Sequence, residues 1–308
     1  MESEYLQDGE DEEEPQPRNE NILEPPSLEE IREIVNNLKN NKNDIALITR
    51  SEKEMQELVK KLDTAAKMMG LEINEAKTKY MTWTEEEFCQ GRYLKIKTDV
   101  GKQYNFEEVD RFKYLGTIFK RQPGVSEEIN SRITAGNRCI GALNAVLKNK
   151  GISRKLKMRI YKTVIRPIVI FGSEVWTLRK EEVQRIEIWE RKVLRKIFGG
   201  KIQDGRWERR TNREIYDLFK EPNIIGIVRA QRMRWIGHVV RMKDHRIPKM
   251  VLIHEIGGGK RLGRPRQRWK KAVEDDIRKL NIGNWKEKAK DRKEWKKIVD
   301  QAMGQLGS

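Results

Sequence analysis

The feature that most restricts the fold of this chain is its charge, which is abundant and unevenly placed. Charged residues make up 37% of the 308 residues and hydrophobic residues another 37%, so we expect small cores with heavily charged faces. Residues 1–30 contain 12 Asp and Glu and one Arg, whereas residues 31–308 contain 64 Lys and Arg and 36 Asp and Glu. The resulting excess of 28 positive charges is larger than solubility requires. It favours a polyanionic partner, RNA or DNA, over the alternative of a merely solvated helical surface.

Several other classes of protein are disfavoured by the same sequence. The two cysteines, Cys89 and Cys139, are too few for a disulfide framework or a cysteine-rich zinc site. The chain has no run of 18 apolar residues, so no membrane span is expected. Its acidic N-terminus is unlike a secretory signal peptide. We therefore expect a nuclear or cytoplasmic protein that is not secreted, and the sequence leaves its oligomeric state open.

Short strands and helices are predicted in the first third of the chain. Residues 1–24 are acidic and contain two prolines, a composition typical of a disordered tail. Ser27 and Glu30 form one capping box, and Ser51 and Glu54 form a second, whose helix should end before Gly70. Strands are predicted for residues 45–48, 92–97 and 112–119, the last with Gly116 in its middle, which suggests a bulge or a close approach of another backbone.

From Ser126 onward the spacing of apolar residues is helical. Ser153 is a predicted helix cap, and Thr211 with Glu214 forms a further capping box. Residues 255–268 are rich in Gly and Arg and are predicted to form a loop. Helices are predicted for residues 126–147, 153–167, 181–198, 224–240, 269–280 and 284–302, the last two with Trp on their apolar sides.

Several segments of the chain, taken in order, match one family pattern. Asp44–Arg50 has the sequence D-I-A-L-I-T-R, Gly70–Lys79 has G-L-E-I-N-E-A-K-T-K, and Phe112–Gly116 has F-K-Y-L-G. Further along lie R-W-I-G-H at Arg234–His238 and G-R-P-R-Q-R-W at Gly263–Trp269. In this order and spacing, over about residues 44–280, they resemble the polymerase half of non-LTR (LINE-type) retrotransposon reverse transcriptases.

The resemblance implies RNA-directed DNA polymerase chemistry, which this chain is not equipped to perform. Enzymes of that family hold two Mg²⁺ ions with an early palm Asp and the paired Asp of a Y-A-D-D motif. Here Asn43 stands at the first position of the pair, Lys42 precedes it, and Asp44 is the only surviving carboxylate of the motif. A lone carboxylate cannot hold two Mg²⁺ ions against hydration. We therefore expect no polymerase activity, no metal site and no cofactor.

An internal deletion joining near Lys42 and Asn43 is the simplest explanation of the missing part of the palm, and the alternative is a coincidental match of a common kind of amphipathic helix. Glu24–Glu30, with the sequence E-P-P-S-L-E-E, resembles the opening helix of the same polymerase domain. In the family the rest of the fingers and most of the palm lie between that helix and Y-A-D-D, whereas here the two are adjacent. The family's endonuclease also has no counterpart, so strand nicking is not expected. The three histidines and Gly257–Lys260 supply no alternative catalytic set, because neither zinc-site spacing nor a complete phosphate loop is present.

Two candidate nucleic-acid contacts lie on predicted secondary structure. The first corresponds to the primer-grip-like hairpin, where a Gly allows close approach of the backbone; the alternative is an ordinary hairpin. The second is a stripe of arginines at helical spacing, suited to phosphates; the alternative is a solvated face. The residues are Lys113, Tyr114 and Gly116 in the hairpin, and Arg229, Arg232, Arg234 and Arg241 in the helix, with Trp235 and Ile236 expected to point inward.

The third candidate contact is the Gly/Arg loop. Arg264, Arg266 and Arg268 flank Pro265 in an extended basic segment, as in peptides that enter the narrow minor groove of A·T-rich DNA. The match is partial, because such peptides usually carry Arg at the position of Leu262. We therefore favour general phosphate contact over base recognition, and a nuclear-import signal is a further alternative.

The sequence thus predicts a mostly α protein with a small α+β palm remnant and helical thumb-like and C-terminal regions. We interpret it as a retrotransposon-derived remnant that binds nucleic acid without catalysis. The alternatives are a polymerase component completed in trans by another chain, and a non-functional product of a decayed element. The expected regions are an acidic tail at 1–24, an opening helix at 25–43, a truncated palm at 44–122, a thumb-like region at 123–200 and a basic helical region at 201–308.

Overall fold

The computed structural model describes residues 45–83, 88–98, 101–121, 124–244, 246–253 and 268–305. The chain divides into two compact units, unit 1 (Met1–Leu115) and unit 2 (Gly116–Ser308). The described part is mostly α-helical with a small α+β part, which confirms the predicted fold class. The predicted acidic tail, the opening helix, Asp44 and most of the Gly/Arg loop lie outside the described residues.

Unit 1 contains a helix and a small mixed sheet. Helix α1 (Glu52–Met68) begins as predicted at Ser51, whose Oγ accepts a hydrogen bond from the N–H of Glu54. The Glu54 carboxylate accepts in turn from the N–H of Arg50, one residue earlier than a capping box requires. The chain leaves the helix through Gly70, which has a φ of +70°. The strands are β1 (Lys79–Tyr80), β2 (Tyr93–Lys97) and β3 (Gln103–Glu108), in the order β1-β3-β2.

Alternating residues of this sheet form the core of unit 1. Strands β2 and β3 are antiparallel, with Leu94 opposite Phe106 and Ile96 opposite Tyr104, and all four side chains are buried together. Val59 of α1 packs on the same cluster. Strand β1 pairs with β3 in parallel. One apolar face and one polar face are therefore present, as the sequence of β2 predicts.

Two strand predictions are corrected by the structure, one for residues 45–48 of unit 1 and one for residues 112–119, which include the end of unit 1 and the start of unit 2. Residues 45–49 form no regular secondary structure, although a strand was predicted for 45–48. Leu47 packs on the core while Ile48 is exposed, so the apolar run is anchored at a single side chain. The predicted strand at 112–119 is two strands, β4 (Arg111–Tyr114) and β5 (Thr117–Lys120). Leu115 and Gly116 between them both have positive φ, so Gly116 forms a turn and not a bulge.

Unit 2 is built almost entirely from helices. Its elements after β5 are α2 (Ser126–Ala142), α3 (Asn144–Lys148), α4 (Arg154–Ile160), α5 (Arg166–Ile170), α6 (Lys180–Phe198), β6 (Lys201–Gln203), β7 (Arg206–Glu208), α7 (Asn212–Phe219), α8 (Ile224–Val240), α9 (Ile247–Ile253), α10 (Trp269–Lys279), α11 (Trp285–Lys290) and α12 (Arg292–Gln305).

Most of the predicted helix boundaries in unit 2 are confirmed. Ser153 caps α4, and Thr211 forms the predicted capping box with Glu214 at α7. A π-helical turn, Tyr161–Ile165, joins α4 to α5 just before Pro167, which has no N–H to donate. The single helices predicted over 126–147 and 284–302 are each interrupted, near Leu143 and Asp291 respectively.

Two apolar cores meet along helix α8. Its N-terminal half, including Ile224 and Val228, belongs to a core formed with α2, α6 and α7. Its C-terminal half, including Met233 and Ile236, packs on α10, α11 and α12. Buried residues consequently occur all around this helix. Gly237 of α8 lies under Trp295, and a Cβ added there would overlap the indole, whose Nε1–H donates to the carbonyl of Met233 at 2.8 Å.

Candidate nucleic-acid interface

The three candidate residues of the primer-grip-like segment have different environments in the structure. Lys113 is exposed, and Tyr114 is half-buried. Gly116 has a φ of +85°, and its carbonyl accepts a hydrogen bond of 2.6 Å from Nη2 of Arg132. Arg132 also donates to Glu128, so the Gly116 carbonyl is held by an internal ion pair. This arrangement favours an ordinary hairpin, in which Gly116 forms the turn.

The three arginines of helix α8 and Arg241, which directly follows it, do not form the single exposed stripe that their spacing predicts. Arg232 is buried, pairs with Asp276, and donates to the carbonyl of Trp176 at 3.1 Å. Arg241 donates to the carbonyl of Ala289. The predicted exposure is wrong for Arg232, which is buried because α8 is enclosed on several sides. Arg241 is half-buried, and its nucleic-acid contact stays a prediction. Arg234 remains exposed, with Asp300 at 3.9 Å, and the predicted inward direction of Ile236 is confirmed.

Arg229 lies on the wall of a cleft of about 920 Å³ between α6, α8 and α10. Its Nε is 3.8 Å from Asp276. The cleft has six cationic side chains and two carboxylates on its wall, so it carries a positive balance. Of the residues that line it, the charged ones are Arg179, Lys180, Arg229, Arg232, Asp275, Asp276, Arg278 and Lys279.

The Gly/Arg loop is represented in the structure by its last residue. Arg264 and Arg266 lie outside the described residues, and Arg268 is exposed immediately before α10. The next residue, Trp269, packs on the second core and donates from Nε1 to the carbonyl of Glu174 at 2.8 Å. This contact fixes the C-terminal end of the loop to the body of unit 2.

A basic ribbon that the sequence analysis missed lies between α6 and α7. Strands β6 and β7 pair antiparallel through Asp204 and Gly205, which both have positive φ. Ile202 and Trp207 are directly opposite each other, so both side chains occupy one face of this two-stranded ribbon. They are 64% and 76% exposed. The Asp-Gly pair between short polar and apolar residues is the hairpin signal that would have revealed it.

The ribbon is attached to the start of α7. Lys201 contacts Glu214 at 2.8 Å, and Glu214 also accepts from the N–H of Thr211 at 2.7 Å. The hydrogen bond from Lys201, followed by those from Thr211, lowers the pKa of Glu214 to about 2. Glu214 therefore joins the ribbon and the helix cap through one ionised carboxylate.

Arginines from α6 and from the segment before α7 cluster beside this ribbon. Arg195 donates to Asn212 at 2.6 Å and to the carbonyl of Arg210 at 3.5 Å. Burial, and then the nearby Arg209 and Arg191, lower the pKa of Arg195, as expected where like charges are close. Nε of Arg210 is a buried donor that has no acceptor within the described residues. We call Arg191, Arg195, Arg209 and Arg210 the arginine cluster.

Two absences apply only to the described part of the chain. The ranges that the structure describes contain no group of three or more His, Cys, Asp or Glu side chains arranged to hold a metal ion. Asp44 is outside those ranges. None of the described helices is both long enough and apolar enough to cross a membrane.

Comparison with known proteins indicates the origin of the chain. A transposon-derived protein of Caenorhabditis elegans is 27% identical over 251 residues, an alignment that covers 76% of this chain and 82% of the worm protein. The similarity points to a transposon origin. No protein-family model matches the chain. No solved structure matches it either.

Proposed function

We propose that this chain is a transposon-derived nucleic-acid-binding protein that contacts RNA or DNA through unit 2 and does not synthesise nucleic acid. Unit 2 carries 48 Lys and Arg and 21 Asp and Glu, a net charge of +27. Among its described Lys and Arg residues, only Lys157 and Arg232 are buried. The positive charge is therefore available at the surface, and this observation carries the proposal. Neutralisation of phosphates by such a surface releases counterions and favours binding.

The absence of polymerase activity in this proposal rests on the sequence. Asn43 stands in place of the first of the two paired carboxylates of the polymerases that the chain resembles, so Asp44 alone remains, and the chain contains no counterpart of the earlier palm strand. The resemblance to reverse transcriptases therefore describes ancestry. A primer-extension assay with Mg²⁺, run beside an active reverse transcriptase, is expected to give no product with this chain; template-dependent extension would overturn this part of the proposal.

Binding is tested by titrating the full chain into labelled RNA and duplex DNA at several salt concentrations. A first variant replaces Lys192, Arg206, Arg209 and Arg213 of unit 2 with Gln. A control variant replaces four exposed lysines of unit 1, which removes the same net charge. The control positions are Lys53, Lys77, Lys95 and Lys97.

The two variants are expected to differ clearly. The unit 2 variant should bind at least ten-fold more weakly at ~0.1 M salt, and its log–log salt slope should fall by about 2 to 3 because each lost phosphate contact removes about 0.9. The control should change affinity by less than two-fold. A third variant, with Arg264, Arg266 and Arg268 changed to Ala, measures how much the Gly/Arg loop contributes to the binding affinity. Equal losses in the first variant and the control would contradict a role specific to unit 2.

No binding by the unmodified chain at ~0.1 M salt would remove the proposal altogether. The charged surface of unit 2 would then be only solvated and would bind no nucleic acid. The better interpretation of the chain would be a non-functional product of a decayed element. Limited proteolysis separates that case from a folded protein. A protease-resistant fragment beginning near residue 120 is expected if unit 2 is folded.

A further inference from the structure

We infer that the β6–β7 ribbon is a stacking platform for an unpaired base, so that unit 2 prefers single-stranded over fully paired nucleic acid. This inference rests on the proposed function and specifies its ligand. The observation behind it is that Trp207 and its cross-strand neighbour Ile202 are exposed on a ribbon whose second strand runs directly into Arg209 and Arg210 of the arginine cluster.

The ribbon presents its aromatic side chain in a way that a purely structural role does not require. Trp207 is 76% exposed, whereas Trp176, Trp189 and Trp295 of the same unit are buried in the two cores. A Cβ at Gly200 would lie 3.1 Å from the indole of Trp207, so one edge of the ring rests near the backbone of Gly200. Most of the indole surface is therefore open and its position is defined.

The charge around the ribbon indicates which kind of ligand it can bind. Arg206 lies on β7 and Arg209 follows it, and both side chains are exposed. Arg209 lies two residues after Trp207, directly beyond the end of β7. Asp204 and Glu208 are the acidic residues of the ribbon, and they are outnumbered once the arginine cluster is included. Such a surface suits a ligand with negative charge on both sides of a planar apolar group.

An unpaired nucleotide has this composition. Base–aromatic stacking combined with basic side chains along the backbone is the usual basis of single-strand binding. In a duplex the base faces are covered by their neighbours, so the indole has no face to stack on. A protein partner or a lipid surface would require a broader apolar area than two side chains bordered by arginines.

The ribbon is held in place independently of any ligand. Lys201 on β6 contacts Glu214, and Arg195 of α6 contacts Asn212 at the start of α7. The turn residues Asp204 and Gly205 adopt the left-handed conformation that a two-residue hairpin needs. Little ordering is consequently required when a base stacks on Trp207, which favours affinity.

The test compares a 12-nucleotide single strand, the same sequence as a duplex, and the single strand with abasic positions, each bound by the full chain. Trp207→Ala is expected to weaken binding to the single strand by about ten-fold or more, and to the duplex by less than two-fold. Trp207→Phe should retain most of the affinity because a ring remains. The matched control is Trp83→Ala, in which a Trp that is 61% exposed in unit 1 is removed and little change is expected.

Each other outcome is informative. If the unmodified chain binds neither ligand, both the stacking platform and the proposed function fail. If it binds and Trp207→Ala weakens single strand and duplex equally, or neither, the platform is wrong while nucleic-acid binding stands. If abasic strands bind as tightly as intact ones, no base stacks on the ribbon. Loss of sedimentation with anionic vesicles in Trp207→Ala, with unchanged oligonucleotide binding, would assign the ribbon to a lipid surface instead.

Discussion

The two units of the chain differ in charge far more than in the principles by which they fold. Residues 45–115 of unit 1 carry 13 Lys and Arg and 13 Asp and Glu, so this segment is neutral. Unit 2 carries a net charge of +27. Both nevertheless bury mainly apolar side chains and leave most of their charged side chains outside. The surplus charge of unit 2 is therefore a property of its surface that its fold does not require.

The cores of the two units use buried polar groups differently. In unit 1, Asp63 accepts a 2.7 Å hydrogen bond from Tyr104 and contacts the half-exposed Lys67. In unit 2, Glu190 is fully buried and accepts from the hydroxyls of Tyr161 and Tyr216 and from the N–H of Ile224. Glu190 thus connects three elements through one carboxylate. Unit 2 should be the more sensitive to loss of a single polar group.

The largest expected effect tests this dependence directly. Glu190→Ala leaves one buried hydroxyl, one half-buried hydroxyl and one buried N–H without their acceptor, and should lower the free energy of unfolding of unit 2 by about 4 kcal/mol. Hydrogen exchange measured on peptides from each unit should show the loss in unit 2 and little change in unit 1. A loss below about 1 kcal/mol would mean that the three donors find other partners. It would contradict the inference that Glu190 connects three elements through one carboxylate.

Glu190→Gln sharpens the same comparison through its pH dependence. Burial raises the pKa of Glu190 above the ordinary value of 4.5, although its three donors oppose this shift. The folded state therefore binds a proton more readily than the unfolded state, and ionised Glu190 costs stability at neutral pH. As pH falls through its folded pKa, the wild-type chain should gain stability relative to Glu190→Gln. An unfolding series between pH 7 and pH 4 measures this, and a pH-independent difference would contradict it.

The next largest effect concerns the second core of unit 2. Gly237→Ala places a methyl group where Trp295 packs, so the indole must move and its hydrogen bond to Met233 is lost. We expect a destabilisation of about 3 kcal/mol. Gly141→Ala in helix α2 is the matched control, since nothing lies within 4 Å of its added Cβ. That variant should be neutral or more stable by about 0.5–1 kcal/mol, because Ala is the better helix former. Chemical unfolding of both variants measures the two changes in stability. Similar changes in the two variants would contradict the close packing of Trp295 on Gly237.

Most of the helices could be predicted from local signals in the sequence. Ser51, Ser153 and Thr211 each accept the hydrogen bond that their cap positions predict. The bounds of α8 follow from its apolar pattern. These features depend on residues within one turn of each other, so a sequence is enough to identify them.

Features that depend on distant residues were not predictable in this way. Helical spacing placed Arg229, Arg232 and Arg241 on related faces, but it could not show that Asp276, 44 residues after Arg232, would lie opposite. The strand predicted at 45–48 failed because no partner strand pairs with it among the described residues. The ribbon with Trp207 was different, since its Asp-Gly turn was visible in the sequence and was overlooked.

A smaller effect is expected in unit 1. Tyr104→Phe removes the donor to Asp63 while the ring continues to pack beside Phe106, so the cost should be about 1–2 kcal/mol. Lys67 still contacts Asp63 in the variant and limits the penalty. Hydrogen exchange of β2 and β3 peptides measures the change. A loss as large as that of Glu190→Ala would remove the proposed difference between the two cores.

The smallest expected effect concerns the attachment of the ribbon to α7. The hydrogen bond from Lys201 is the main reason that the pKa of Glu214 is lowered to about 2 from its ordinary value of 4.5. A carboxylate with a lowered folded pKa contributes stability that is complete above the ordinary value and is lost as pH falls through about 2. In Lys201→Met, a carboxyl titration followed by NMR should show the midpoint of Glu214 moving up toward 4.5, with Thr211 retaining part of the shift.

That variant also separates placement of the ribbon from the charge of unit 2. Lys201→Met leaves Trp207 and the arginine cluster in the chain, but it loosens the ribbon that positions the indole beside the arginines. Single-strand affinity should therefore fall by more than in Lys192→Gln, which removes the same single charge from the exposed side of α6. If the two variants weaken binding equally, only the number of charges matters, and the ribbon contributes no defined position for a base.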